Sequence, residues 1–333
     1  MHVIRTRNVH QALPKGVALL KKDGYRMSSR NGEVIVCSEP VTTRYERPNE
    51  RVIFWPERDA NPFFHLMEAL WMLAGRNDVQ FVANYAKNMM NYSDDGVSLH
   101  AAYGYRWRRY YTHDQLDILV RLLTTCPNTR RAVLQMWDPD IDLFGREKNT
   151  HKDLPCNTTA YFNIDMNDPA NPLNMTVCCR SNDMIWGAYG ANAVHFSILL
   201  EYMAARLNVP VGTMYQVSNN FHVYLDAFMP IQELPLMFSC PYTTGNVRPY
   251  PMIQHSANWE HDLLHMFNDI GNFKINFKEP FFNEVVMPIR WAHVHYKEKN
   301  YEKSTQSLGL CQASDWRKAC QEWLIRRREK VND

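Results

Sequence analysis

Leu154-Pro155-Cys156-Asn157, then Cys179-Arg180-Ser181-Asn182-Asp183 with Trp186-Gly187 and Asn192, then Asn220-Phe221-His222-Val223-Tyr224 form the stretch that decides the reading of this chain. A thiolate attacks an electron-poor carbon, so a lone cysteine after a proline is a candidate nucleophile. Guanidinium forks match phosphate oxygens and a hydroxyl adds a donor, so Arg180-Ser181 reads as a phosphate grip. His222 and Tyr224 stand two apart, and on a strand they face one side, where both can hold a sugar hydroxyl. Cys156 needs a cation nearby to ionise near neutral pH, and Arg180 is the candidate. The set points to covalent catalysis on a nucleotide.

Around this stretch, β-branched and aromatic residues concentrate at 33–37, 131–137, 159–164, 174–179 and 214–217, which predicts strands. Residues 61–75 predict a buried helix, with Asn61 as N-cap, Pro62 at the first helical position and Gly75 as the stop. Glu68 is its one acid, and an acid among apolar neighbours suits general acid–base work. A second apolar helix is predicted over 192–207. Strands and helices interleave without the alternation of a doubly wound sheet, so the expected fold is α+β, a mixed sheet packed by long helices.

Composition sets limits. The chain has 333 residues, 45% hydrophobic and 22% charged, enough for a large core and incompatible with wholesale disorder. A single catalytic domain over 1–333 is expected. A net charge of +2 argues against a general nucleic-acid binder but allows a local basic pocket. The eight cysteines form no C-x-x-C pair and no zinc-like spacing, so no metal is expected and the thiols should stay reduced in a cytoplasm. The N-terminus lacks an apolar signal core, and no apolar run approaches the roughly 20 residues that cross a bilayer.

The motif block resembles the thymidylate synthase family, including its deoxynucleotide hydroxymethylases, over roughly residues 28–226. There a Pro-Cys nucleophile, an Arg-Ser-x-Asp-x-x-x-Gly run and a His-x-Tyr occur in the same order. The resemblance implies a homodimer packed sheet against sheet. It implies Cys156 as nucleophile, with Glu68 and Tyr103 moving protons on the pyrimidine, and Asn157 where the family has a histidine. It also implies phosphate binding by Arg30, Arg180 and Ser181, with Arg130 and Arg131 reaching across the dimer interface. His222 and Tyr224 would hold the sugar 3′-hydroxyl, and Asn192, one residue later than the usual asparagine, would read the base and leans toward uracil. Asp183, Trp186 and Gly187 match positions that contact the pterin of 5,10-methylenetetrahydrofolate.

Two further departures stand out. From about residue 235 the chain diverges: the family's short apolar tail, which closes over folate, is replaced by a basic amphipathic helix around Trp316–Arg328. The tryptophan that stacks near the transferred carbon has no counterpart in Met89-Met90-Asn91-Tyr92-Ser93. Both features keep water from the reactive methylene in a synthase. Their loss favours a folate-dependent 5-hydroxymethyltransferase acting on dUMP or dCMP. The alternatives are a thymidylate synthase with a divergent lid, or an inactive nucleotide- or RNA-binding relative using the basic helix as its contact surface. The base and the sugar, deoxyribose or ribose, stay open at this point.

Overall fold

The computed structural model describes residues 1–29, 31–144, 151–268 and 276–332; Arg30, expected at the phosphate, lies outside them. Among the described residues ten strands build two sheets. The larger joins β1 (His2–Thr6), β4 (Val41–Tyr45), β9 (Val211–Ser218), β7 (Leu173–Cys179), β6 (Asn157–Ile164) and β5 (Val133–Gln135) in that order. Its pairings are parallel between β1 and β4 and between β9 and β7, and antiparallel elsewhere, so the sheet is mixed. The smaller joins β2 (Gly24–Ser29), β3 (Gly32–Cys37), β10 (Phe221–Tyr224) and β8 (Asn182–Asp183).

Leu173, Met175, Val177 and Cys179 on β7 are buried while their neighbours are half-buried, the period of a strand with one face on a core. That core is made by the Pro62–Leu73 helix, with ten of its twelve residues buried, and the Ala191–Leu207 helix packed beside it. The Asn61 side chain accepts from Phe64 N–H at 3.1 Å, Pro62 opens the helix, and Gly75 follows it at φ 66, a left-handed conformation natural to glycine. Both helices match the expected spans closely.

The strand expected at 131–137 is shorter. Arg131 N–H donates to Thr129 Oγ1, and at the other end Met136 and Trp137 N–H both turn to Thr158 O, leaving only Val133–Gln135 in the ladder. Among the described residues the C-terminal part supplies the α-helices Ser256–Asn268, Met287–Lys297, Tyr301–Gly309 and Ser314–Asn332. The last packs on the Pro62–Leu73 helix, where the Trp323 ring meets Phe63 at 5.4 Å. Its basic face is not all solvent surface, because Arg326 and Arg327 both pair with Asp59 at 2.9 Å. Among the described residues no helix is long and apolar enough to cross a membrane.

Candidate active site

A cavity of 660 Å³ opens where the ends of the two sheets meet. Cys156, Arg180, Ser181, Asp183, Trp186, Asn220, His222 and Tyr224 all face it, so residues far apart in the chain converge. Their elements explain this. Cys156 immediately precedes β6, whose register against β7 shifts between Asn157 and Thr159; such an irregularity re-aims the chain beside a site. Arg180 and Ser181 bridge β7 to β8, and β8 runs parallel to β10, placing Asp183 opposite His222.

Arg180 ties the nucleophile loop to the sheet. Its Nε donates to Pro155 O at 3.0 Å, its Nη2 to Leu154 O at 3.3 Å, and its backbone N–H to Cys156 O at 2.9 Å. The guanidinium also lies over the Trp137 ring at 5.4 Å. A cation therefore sits against the Cys156 loop and at the cavity wall together. His222 and Tyr224 meet edge to face at 5.8 Å.

Behind this wall lies a second layer. The Glu68 Oε2 and His195 Nε2 atoms face each other at 2.9 Å, both buried, without hydrogen-bond alignment. Tyr103 stacks on Phe196 at 6.0 Å. Burial pushes its phenol well above the usual tyrosine range, with the neighbouring Cys156, Cys179 and Asp153 adding to the shift. Asn157 is fully buried; its amide donates to Cys178 O at 2.9 Å and Thr159 O at 3.2 Å, and its Oδ1 has no partner among the described residues. Glu68, Tyr103 and Asn157 thus back the cavity rather than form its wall.

Asp183 is half occupied. Its Oδ1 accepts from the Ile185 and Trp186 N–H groups at 2.8 and 2.5 Å, while its Oδ2 is buried with no partner among the described residues. Burial raises its pKa above the usual carboxylate range. An orphaned acceptor beside an exposed indole fits a flat heterocycle carrying N–H donors, as a pterin does. Arg58, which the sequence reading missed, supports this corner: it donates to Ile185 O at 2.8 Å and lies over Trp186 at 4.8 Å.

Asn192 and Gly187 do not form the cavity wall. The Asn192 Nδ2 donates to Asn182 Oδ1 at 3.1 Å, and Asn182 Nδ2 donates to Ser218 Oγ at 3.0 Å. A Cβ at Gly187 would stand 2.3 Å from Asn182 Oδ1, so glycine there leaves room for the amide chain. Arg130 and Arg131 are exposed and also lie away from the cavity in this single chain. Among the described residues no three His, Cys, Asp or Glu side chains converge as metal ligands would.

The thymidylate synthase family model matches residues 17–237, which include every strand from β2 to β10 and the whole cavity wall. The deoxyuridylate hydroxymethyltransferase of Pseudomonas phage M6 is 46% identical over 98% of this chain and 95% of its own length. The enzyme of the same name from Bacillus phage SP01 is 40% identical over 62% of this chain and 55% of its own. A putative thymidylate synthase of Methanosarcina acetivorans is 25% identical over 67% of this chain and 89% of its own. The match to the phage M6 protein extends through the C-terminal helices that the family model leaves out. With the motif residues gathered in one cavity and the family model covering most of the chain, this protein belongs to the thymidylate synthase family.

Proposed function

We propose that the chain transfers a hydroxymethyl group to C5 of deoxyuridylate. The observation that carries this is the 46% identity, over nearly the full length of both chains, to a protein named deoxyuridylate hydroxymethyltransferase, together with Cys156 lining the cavity. The Cys156 thiolate adds to C6 of the pyrimidine, which makes C5 nucleophilic. Arg180 and Ser181 hold the phosphate, and His222 and Tyr224 hold the 3′-hydroxyl. The Asn192 amide gives one N–H to Asn182 and keeps its oxygen and second N–H, an acceptor and a donor that match the N3–H and O4 of uracil. Glu68 and Tyr103 relay protons at the C4–C5 edge.

5,10-Methylenetetrahydrofolate, when bound, supplies the carbon; Asp183 and Trp186 are the residues that would hold its pterin. Water then takes the place that hydride takes in a synthase. Further support concerns assembly. Val133 on β5 and Tyr161 on β6 are paired side by side and both exposed, an apolar face suited to a sheet-to-sheet homodimer in which Arg130 and Arg131 reach the neighbouring phosphate. The C-terminal helices share a core with the Pro62–Leu73 helix, which supports one domain over 1–333. The eight cysteines, none in a disulfide, suit a reducing cytoplasm.

The test is incubation with methylenetetrahydrofolate and dUMP, dCMP or CMP, followed by mass analysis. A hydroxymethyl product from dUMP alone is expected. A methyl product, or turnover of dCMP in preference to dUMP, contradicts the proposal.

A further inference from the structure

The mechanism above leaves the proton of the attacking water without an acceptor. Glu68 faces His195 and lies behind the wall, and Asp183 uses one oxygen to cap the turn that carries Trp186. Asp153 remains. It stands three residues before the nucleophile and lines the same cavity as Cys156. The sequence reading passed over it.

Its placement is fixed from two sides. Asp153 Oδ2 accepts from the Ala101 N–H at 2.9 Å, while Arg180 holds the carbonyls of Leu154 and Pro155 just downstream. Its field is felt by Tyr103, which also feels Cys156, and it feels Glu68 in turn. Asp153 therefore shares the cavity wall with the Cys156 thiol to which C6 of the ring would bond, with Tyr103 and Glu68 behind that wall. We propose that Asp153 is the general base that takes the proton from water as it attacks the exocyclic carbon on C5. Burial raises its carboxyl above the usual range, which makes it a stronger base than a surface aspartate.

The step balances without a redox partner. A water oxygen bonds to the exocyclic methylene carbon, and the C5–methylene π pair moves onto the C4 oxygen as an enolate. The water proton passes to Asp153. The enolate collapses, restores the C5–C6 double bond and expels the Cys156 sulfur as thiolate. Asp153 then returns its proton to solvent. This assignment rests on the hydroxymethyl reading.

The test compares two outputs of the full-length protein supplied with methylenetetrahydrofolate and dUMP tritiated at C5. Tritium release reports arrival at the methylene stage, and hydroxymethyl nucleotide reports capture by water. The wild-type ratio should be one to one. In Asp153→Asn the ratio of tritium released to hydroxymethyl product should rise at least about tenfold, within the range general bases contribute. Added 2-mercaptoethanol should then appear as a thioether at the C5 methylene, and Asp153→Glu should restore part of the hydroxymethyl yield. A ratio that stays near one overturns the proposal, whether both outputs persist or both fall together. A wild-type enzyme that yields a methyl product would instead overturn the hydroxymethyl reading itself.

Discussion

Glu68 Oε2 and His195 Nε2 stand 2.9 Å apart, linking the Pro62–Leu73 and Ala191–Leu207 helices inside the apolar core. Removing one partner leaves the other buried and polar with nothing opposite. His195→Leu should therefore cost about 3 kcal/mol of stability, read from urea unfolding. A loss below about 0.5 kcal/mol would show that the contact contributes nothing.

Glu68 itself is expected to act on the chemistry. Glu68→Gln keeps the shape and the His195 contact but removes the proton acceptor. Turnover should fall about 100-fold while the Kd for dUMP changes by less than about threefold. Isothermal titration and steady-state kinetics on the same preparation separate the two effects.

Cys156→Ser should lower turnover by at least about a thousandfold and abolish exchange of the C5 hydrogen with solvent, because both need the C6 adduct. Binding of dUMP should persist, since phosphate and sugar contacts supply ground-state affinity. Exchange that survives in the variant would remove Cys156 from the mechanism.

Acid should loosen the segment that carries Tyr103. Arg106 clamps Asp142 with Nη1 and Nη2 at 2.6 and 2.9 Å, His100 joins at 2.9 Å, and the Arg106 and Asp142 side chains are closed to solvent. Burial alone would raise the Asp142 pKa, but the hydrogen bonds from His100 and Arg106 overrule it and hold the carboxyl well below the usual range. A depressed folded-state pKa contributes stability above the unfolded value, near 4, that is lost as pH falls below it. Asp142→Asn should thus destabilise at pH 7 by about 3 kcal/mol, with the gap to wild type narrowing below pH 4. A gap that does not change with pH would contradict this.

The local parts of the site were legible in the sequence because their signals are short-range. Pro155-Cys156, Arg180-Ser181 and His222-Val223-Tyr224 each carry their chemistry within a few residues, and Asn61, Pro62 and Gly75 mark a helix by end chemistry alone. What escaped depends on pairing across the chain. His195 sits on an apolar helix and gains meaning only from Glu68 opposite it. Asp153 reads as a loop acid until the cavity closes around it. Strands β1 and β4 were missed although both carry β-branched residues, because His2–Thr6 and Val41–Tyr45 are only five residues long and each contains an arginine; what defines them is pairing with distant segments, β1 with β4 and β4 with β9. The basic character of the last helix was plain, but its pairing with Asp59 was not.

The proposed homodimer can be tested by complementation. If Arg131 serves the neighbouring subunit, mixing Arg131→Ala with Cys156→Ala should restore about a quarter of wild-type activity, since half the dimers are hybrids with one intact site. Two inactive proteins that stay inactive after proven subunit exchange would show that each site is complete within one chain.

The most direct measurement of the central claim follows nucleotide and folate products together during turnover of dUMP. The account predicts one 5-hydroxymethyl-deoxyuridylate per tetrahydrofolate and no rise in dihydrofolate absorbance, because water, not hydride, completes the reaction. Chemistry up to the methylene stage is common to both outcomes, so a barrier difference of about 3 kcal/mol in the capture step decides between them by roughly a hundredfold. One dihydrofolate formed per 5-methyl nucleotide would contradict the account.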